Sequence, residues 1–381
     1  MYEFKSLNKL LDSFEQMNIP SYDIEVMHRG NSVFRRMYGY SDVEKTIPIK
    51  GNEKYHIYSC SKPITCVAAM TLFEKGKFGL GDRLCDYMPE FANMKVIENG
   101  NIVDAKKPIT IENLFTMTAG FTYDLQSENL VACRRETADK CATREAMRYL
   151  AKDPLAFEPG ERFSYSLCHD VLAAFVEVVA GEKFGDYVKR AVFDRAGMAN
   201  STFLPDKETL DSLCAQYRYY DDRKEFECVG SYNAYRIGEQ YESGGAGCVT
   251  TLDDYMKFLE AIRVGGNVIS RETLKYMTTN RLLESQNAEY GSWRDGYGYG
   301  LGLRCRLNRE SDSTDFGWGG AAGAFLACDI DLEYSVFFVE HVLCAPNQAL
   351  RGKIANFVKA DLLGLDGNSE IAKAQKTELT Y

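Results

Sequence analysis

The chain reads as a mixed α and β fold, laid out in the order sheet, helical block, sheet, helix. Three observations predict it. Runs of strand character stand near the N-terminus, in "YDIEVMHRG" and "NSVFRRMYGY", and return beyond about residue 210 in "GLGLRCRL", "GAFLACDID" and "EYSVFFVEHV". From about 80 to 205 the sequence is mostly helical segments with punctuation, such as "TIENLFTMTAG", "TREAMRYLAKDP" and "HDVLAAFVEVVAGEKFGDYVKRAVFDRAG". No internal repeat and no long linker interrupts the 381 residues, so they are read as a single domain. Its α/β part covers about 1–80 and 206–365, its helical part about 81–205, and 366–381 forms a polar tail.

Each element has a local reason. Leu7, Leu10, Leu11, Phe14 and Met17 recur at helical spacing and predict an amphipathic helix over 4–17. The two strand runs that follow flank a turn at Gly30-Asn31, which predicts an antiparallel hairpin under that helix. "YHIYSC" is strand-like, and "SKPITCVAAMTLFEKGKFG" is helical, with Ile64, Val67, Ala68 and Leu72 on one face. Pro63 suits a first helical turn, and Gly76 and Gly79 supply the stop. A last helix is expected at about 346–363, carrying Leu350, Ile354, Phe357, Val358 and Leu362.

Composition limits the function. Apolar residues make up 45%, charged residues 26%, and the formal net charge is -10. With a pI near 5.2 and no run of Lys or Arg, neither nucleic acid nor a membrane surface is an expected partner. The first residues are charged throughout, unlike a signal peptide, and no apolar run approaches the roughly 18–20 residues of a membrane span. A cytoplasmic protein is expected, whose 12 cysteines are reduced, buried thiols and not a disulfide framework. There is no C-x-x-C, H-E-x-x-H or G-x-S-x-G, which leaves zinc ribbons, metallohydrolases and α/β-hydrolases without support.

Chemistry enters with two copies of S-x-x-K. Ser6 and Lys9 start the N-terminal helix, with Lys9 turned from its apolar stripe, and read as solvated surface. Ser59 and Lys62 stand where a buried helix begins, among free N–H groups and positive dipole potential. A serine hydroxyl needs a group to take its proton, and residues i and i+3 share a helix face. A lysine buried there can have its pKa lowered enough to act as that base. The Ser59 N–H can also supply half of an oxyanion hole. Two further pieces are Tyr165, in "FEPGERFSYSLCHDVLAAFVEVVAG", and the glycine-rich lead-in to a strand, "DFGWGGAAGAFLACDID".

In order and spacing these pieces resemble the serine β-lactamase and penicillin-binding-protein superfamily, and more narrowly class C β-lactamases with the related family VIII carboxylesterases and transesterases. The resemblance runs through "KGKFGLGDRLCDYMPEF", "IENLFTMTAG", "LAFEPGERFSYS", "SGGAGCVTTLDDYMKFLEAI" and "GYGYGLGL", nearly the whole chain. It implies a β-lactamase/transpeptidase-like α/β (α+β) fold: an antiparallel sheet flanked by helices, with an inserted all-helical subdomain and the active site in the cleft between them. It implies Ser59 as nucleophile, Lys62 as its partner base and Tyr165 as the proton shuttle to the leaving group. Trp318-Gly319-Gly320 occupies the slot where lactamases usually have Lys-Thr-Gly, and the N–H of Ala321 aligns with the second oxyanion donor.

Two departures bear on substrate. Leu167 takes the third place of the Tyr-x-Asn motif, removing the amide that helps orient a β-lactam, and Trp318 removes the cation that engages its carboxylate. Both argue against β-lactams and D-Ala-D-Ala peptides. Family members with Tyr-Ser-x and Trp-Gly-Gly are typically ester hydrolases or acyl transferases. The resemblance thus implies a small carboxylic ester or amide as substrate, hydrolysed through an acyl-Ser59 intermediate without metal or organic cofactor. A class C-type β-lactamase, a D-amino-acid peptidase, an acyltransferase and a non-catalytic sensor on the same scaffold are the alternatives. His169 is read as a packed or surface imidazole, Cys60 and Cys66 as core, and 285–300 as an aromatic, glycine-rich stretch able to line an acyl or alcohol pocket.

Overall fold

Residues 2–291, 296–311 and 314–365 are described by the computed structural model; the polar tail expected at 366–381 lies outside them. The N-terminal helix runs Lys5–Gln16, with Leu7, Leu10, Leu11 and Phe14 buried. Each such side chain removed from water contributes about 1.5–3 kcal/mol. No local side chain caps the helix start; the Asp361 carboxylate accepts the N–H groups of Ser6 and Leu7 instead. The helix packs on the sheet beside a C-terminal helix, Ile354–Leu362. The single helix expected at 346–363 is instead two, Gln348–Arg351 and Ile354–Leu362, interrupted at Gly352 and Lys353.

The hairpin Ser21–His28 and Asn31–Gly39 turns on Arg29 and Gly30, whose φ values of 52° and 76° are those of a primed two-residue turn. Asn31 already pairs with His28, so the turn sits one residue before the expected Gly30-Asn31. These two strands enter a seven-stranded antiparallel sheet in the order Asn31–Gly39, Ser21–His28, Tyr334–Val339, Phe325–Asp329, Phe316–Gly319, Arg304–Arg306, Tyr297–Tyr299.

The central strands are buried on both faces, which explains their unbroken apolar runs. Phe325 and its partner Phe338 face the N- and C-terminal helices, whereas Leu326 and its partner Phe337 face the other core. On that second face the helix Leu252–Val264 stacks Tyr255 on Phe337 at 4.1 Å between ring centroids. "DFGWGG", expected as a lead-in to a strand, is itself one: Trp318 lies opposite Leu326, and Gly319 opposite Phe325. A Cβ on Gly317 would come within 2.2 Å of the Leu326 carbonyl, so glycine there is a condition of the pairing.

The segment between contains the helices Ile111–Phe115, Glu128–Glu136, Thr143–Leu150 and Cys168–Ala180. It also holds a hairpin missed by the helical reading, Lys95–Glu98 with Asn101–Asp104, turning on Asn99-Gly100. That Asn-Gly dipeptide was the available signal.

The cysteine expectation is corrected twice: Cys228 and Cys344 are exposed instead of buried, and one pair is bridged. Cys133 and Cys141 form a disulfide, while ten other cysteines are free. Helix Glu128–Glu136 ends and the chain turns back, bringing the two Cα atoms to 6.4 Å, inside bridging range. No spacing rule in the sequence reports that reversal. Among the described residues no helix is long and apolar enough to cross a membrane.

Candidate active site

The strand containing "YHI" is short: Lys54–His56 pairs with Val249–Thr251 and ends there. Tyr58–Cys60 is a 3₁₀ turn that leads directly into the helix Ser61–Glu74. Tyr58 has φ 47°, a left-handed conformation that costs a non-glycine residue of order 1–3 kcal/mol. Its buried hydroxyl donates to Gln216 and its ring packs edge-on against Tyr235, which offsets that cost. The outcome is a serine presented at a helix start, 7% exposed.

A second segment fixes the helix from behind. The Cys248 N–H donates to Ser61 Oγ (3.0 Å), and Thr65 Oγ1 donates to the Gly244 carbonyl (2.7 Å). The Tyr255 hydroxyl donates to the Cys60 carbonyl at 2.8 Å. Glycines at 244, 245 and 247 permit this approach: a Cβ on Gly244 would sit 2.3 Å from the His169 carbonyl.

Lys62 is fully buried. Its Nζ donates to Ser59 Oγ (3.3 Å), the Gly245 carbonyl (2.8 Å) and the Tyr123 hydroxyl (3.4 Å). It also lies 4.6 Å from the ring centre of Tyr165. Burial lowers its pKa to about 8, against the opposing pull of the Asp170 charge. The Tyr165 hydroxyl donates to Ser59 Oγ at 2.7 Å from the other side. The serine oxygen thus has an amine and a phenol as neighbours.

Aromatic rings wall this cluster. Tyr123 stacks on Tyr165 (5.5 Å between centroids), Tyr165 on Trp318 (5.8 Å), and Tyr235 meets Tyr123 edge-on (5.6 Å). Trp318 is 3% exposed and also touches Tyr299. Gly319 closes the strand, and the turn after it is held by the N–H of Gly320 on the Ala324 carbonyl and the N–H of Gly323 on the Gly320 carbonyl. Ala321 stands half-buried in that turn, in the small apolar cluster of Tyr58, Ala246 and Ala322. A Cβ on Gly320 would lie 2.3 Å from the Ile57 carbonyl, so the turn rests directly on the approach to Ser59.

Ser59, Lys62, Tyr165, Trp318 and the 319–321 turn therefore converge. Leu167 does not: its side chain lies in the core at the start of the helix Cys168–Ala180. His169 is buried against Cys66, with Nε2 3.3 Å from the Phe115 carbonyl, and burial lowers its pKa to about 3. Cys60 and Cys66 are buried, and burial pushes both thiols up. In the 285–300 stretch Tyr290, Tyr297 and Tyr299 are buried, and 292–295 lie outside the described residues. Among the described residues no group of three His, Cys, Asp or Glu side chains could hold a metal ion. Sequence reading missed Tyr123, Tyr235, Asp170 and the Gly245 carbonyl, because each sits in a different loop or helix and no shared spacing links them.

Known proteins match most of this chain. The family model described as Beta-lactamase matches residues 7–342. Esterase EstB of Burkholderia gladioli is 30% identical over 258 residues, covering 62% of this chain and 64% of its own length. Protein Rv1367c of Mycobacterium tuberculosis (strain ATCC 25618 / H37Rv) is 26% identical over 260 residues, covering 65% of this chain. The match spans 64% of the length of each relative. Among solved structures, EstCE1, a hydrolase with promiscuous acyltransferase activity, superposes with a TM-score of 0.76 at 23% identity, covering 94% of this chain and 99% of its own. Simvastatin synthase (LovD) from Aspergillus terreus gives 0.78 at 18% identity, covering 93% and 96%. At those identities the two structures speak for the fold alone.

Proposed function

The chain belongs to the beta-lactamase family, and from that premise we propose that it is a serine hydrolase which cleaves small carboxylic esters through an acyl-Ser59 intermediate. The observation that carries the reading is the position of Ser59 Oγ, 2.7 Å from the Tyr165 hydroxyl and 3.3 Å from Lys62 Nζ. In acylation the Ser59 proton passes to neutral Lys62, directly or through Tyr165, as Oγ attacks the ester carbonyl. The N–H groups of Ser59 and Ala321 take the charge that develops on the carbonyl oxygen. Tyr165 then donates a proton to the leaving alcohol, and water attacks the acyl-enzyme with the proton path reversed.

What surrounds Ser59 supports this substrate class. Tyr123, Tyr165, Tyr235 and Trp318 present ring surface, which favours a neutral, apolar acyl or alcohol group over an anionic one. Trp318 in place of a lysine removes a partner for the lactam carboxylate. The name of the EstB relative supports an esterase. Transfer of the acyl group to an alcohol instead of water uses the same steps, and the description of EstCE1 makes it the second reading.

A fluorophosphonate probe and a slow ester test the proposal together. Intact-mass and peptide mapping should place one adduct on the peptide containing Ser59. An adduct on another residue, or no labelling of folded protein, overturns it.

A further inference from the structure

The helix Cys168–Ala180 carries a carboxylate, Asp170, that is buried behind the cluster just described. Its Oδ1 accepts hydrogen bonds from the Tyr241 hydroxyl (2.8 Å) and the Ser243 hydroxyl (2.7 Å). Ser243 Oγ in turn accepts the Ala246 N–H at 3.0 Å. The other oxygen faces the Gly245 peptide: a Cβ added at Gly245 would lie 2.5 Å from Asp170 Oδ2 and 3.3 Å from Lys62 Nζ. The carbonyl of the same glycine accepts the 2.8 Å hydrogen bond from Lys62. Asp170 Oδ2 and Lys62 Nζ thus both close on Gly245.

We propose that Asp170 is a positioning residue for Lys62: it clamps the 243–247 segment whose carbonyl orients the amine, and its charge sets the pH at which that amine becomes a base. The proposal rests on the reading of Lys62 as the base. A buried, unpaired carboxylate is costly, and this one is retained with two hydroxyl donors and a cation within reach. Burial pushes the Asp170 carboxyl up, while Ser243, Lys62 and Tyr241 pull it back toward the charged form. The same attraction favours the ammonium form of Lys62.

Other titratable groups face Lys62. Cys66 comes from its own helix and Cys60 from the turn before it, Cys168 and His169 from the helix of Asp170, and Tyr123 and Tyr165 from the cleft. Burial raises the three thiols and the Tyr123 phenol and lowers His169, so these stay neutral near pH 7. The Tyr165 hydroxyl is engaged with Ser59. Asp170 is therefore the carboxylate among the described residues around Lys62 that can bias its protonation.

The test is the pH profile of kcat/KM for p-nitrophenyl acetate. Asp170→Asn keeps an acceptor for Tyr241 and Ser243 but removes the charge, so the ammonium is less favoured and the acid limb should move down by about one pH unit. Ser243→Ala is the milder second variant; it weakens the carboxylate's support and should move the limb the same way by less. KM should change little in both. A limb that stays within about 0.2 unit of wild type in folded variants of both kinds overturns the proposal. Lys62→Met separates the two levels. If it abolishes turnover while the Asp170→Asn limb stays put, the base assignment stands and the role of Asp170 fails. If Lys62→Met keeps both rate and limb, the base assignment itself fails.

Discussion

The Tyr165 hydroxyl donates a 2.7 Å hydrogen bond to Ser59 Oγ while the face of its ring lies 4.6 Å from Lys62 Nζ. One phenol therefore touches both partners of the proposed proton transfer. Tyr165→Phe keeps the ring and its stacking on Tyr123 and Trp318 but removes the proton. We expect kcat to fall about 10²–10⁴-fold with little change in KM, the usual contribution of a general acid–base group. A change under about threefold would assign Tyr165 a packing role only.

The two S-x-x-K copies give a paired control. Ser6 sits on the N-terminal helix, where its backbone N–H donates to Asp361 (3.1 Å), and Lys9 is exposed. Ser59 and Lys62 are buried and hydrogen-bonded to each other. Ser59→Ala should abolish ester hydrolysis and leave the circular dichroism spectrum unchanged, whereas Ser6→Ala should leave the rate at wild type. Residual ester turnover in Ser59→Ala above the background reaction would rule out this serine as the nucleophile.

The pH dependence follows from which form of Lys62 works. Burial lowers the amine to about 8, and only the neutral form accepts a proton, so kcat/KM should rise as pH climbs through about 8. His169, lowered to about 3, is neutral across that range and contributes no limb of its own. A limb near the ordinary histidine pKa of about 6.5 that vanishes in His169→Gln would contradict this assignment.

How much of this was legible depends on the range of the interaction. The serine helix was readable because Pro63, the apolar run after it and the closing glycines are local signals. The fold order was readable because the runs "GAFLACDID" and "EYSVFFVEHV" are long enough to bury both faces of a strand. Tyr123, Tyr235 and Gly245 were not, since they meet Lys62 or each other only through tertiary contacts between loops. The Cys133–Cys141 bridge and the displaced hairpin turn failed for a related reason: each depends on where the chain reverses, which local propensity places only to within a residue or two.

The turn after Trp318 offers a backbone test of the oxyanion site. Gly320 rests against the Ile57 carbonyl, where a Cβ would approach to 2.3 Å, and that carbonyl cannot withdraw without moving Ser59. Gly320→Ala should displace the Ala321 N–H and lower kcat about 10²–10³-fold, the usual cost of one oxyanion donor, with a smaller effect on KM. If kcat holds within about threefold in a folded variant, the turn does not bind the oxyanion.

The proposed substrate class is tested at Trp318. Its indole is 3% exposed and packed between Tyr165 and Tyr299, so the slot that carries a lysine in lactamases is filled here by ring surface. A β-lactam would bring its carboxylate to that surface without a cation to meet it. We therefore expect kcat/KM for a short-chain p-nitrophenyl ester to exceed that for a chromogenic cephalosporin by at least about 100-fold, or roughly 2.7 kcal/mol of differential transition-state binding. That size matches one missing charged contact and one missing hydrogen bond. Trp318→Lys should narrow the gap by restoring a partner for the carboxylate. It should also lower Tm, because it exchanges a large buried indole for a flexible chain with a charge to solvate. A wild-type enzyme that opens the cephalosporin faster than it cleaves any ester tried overturns the esterase reading and puts a β-lactamase in its place.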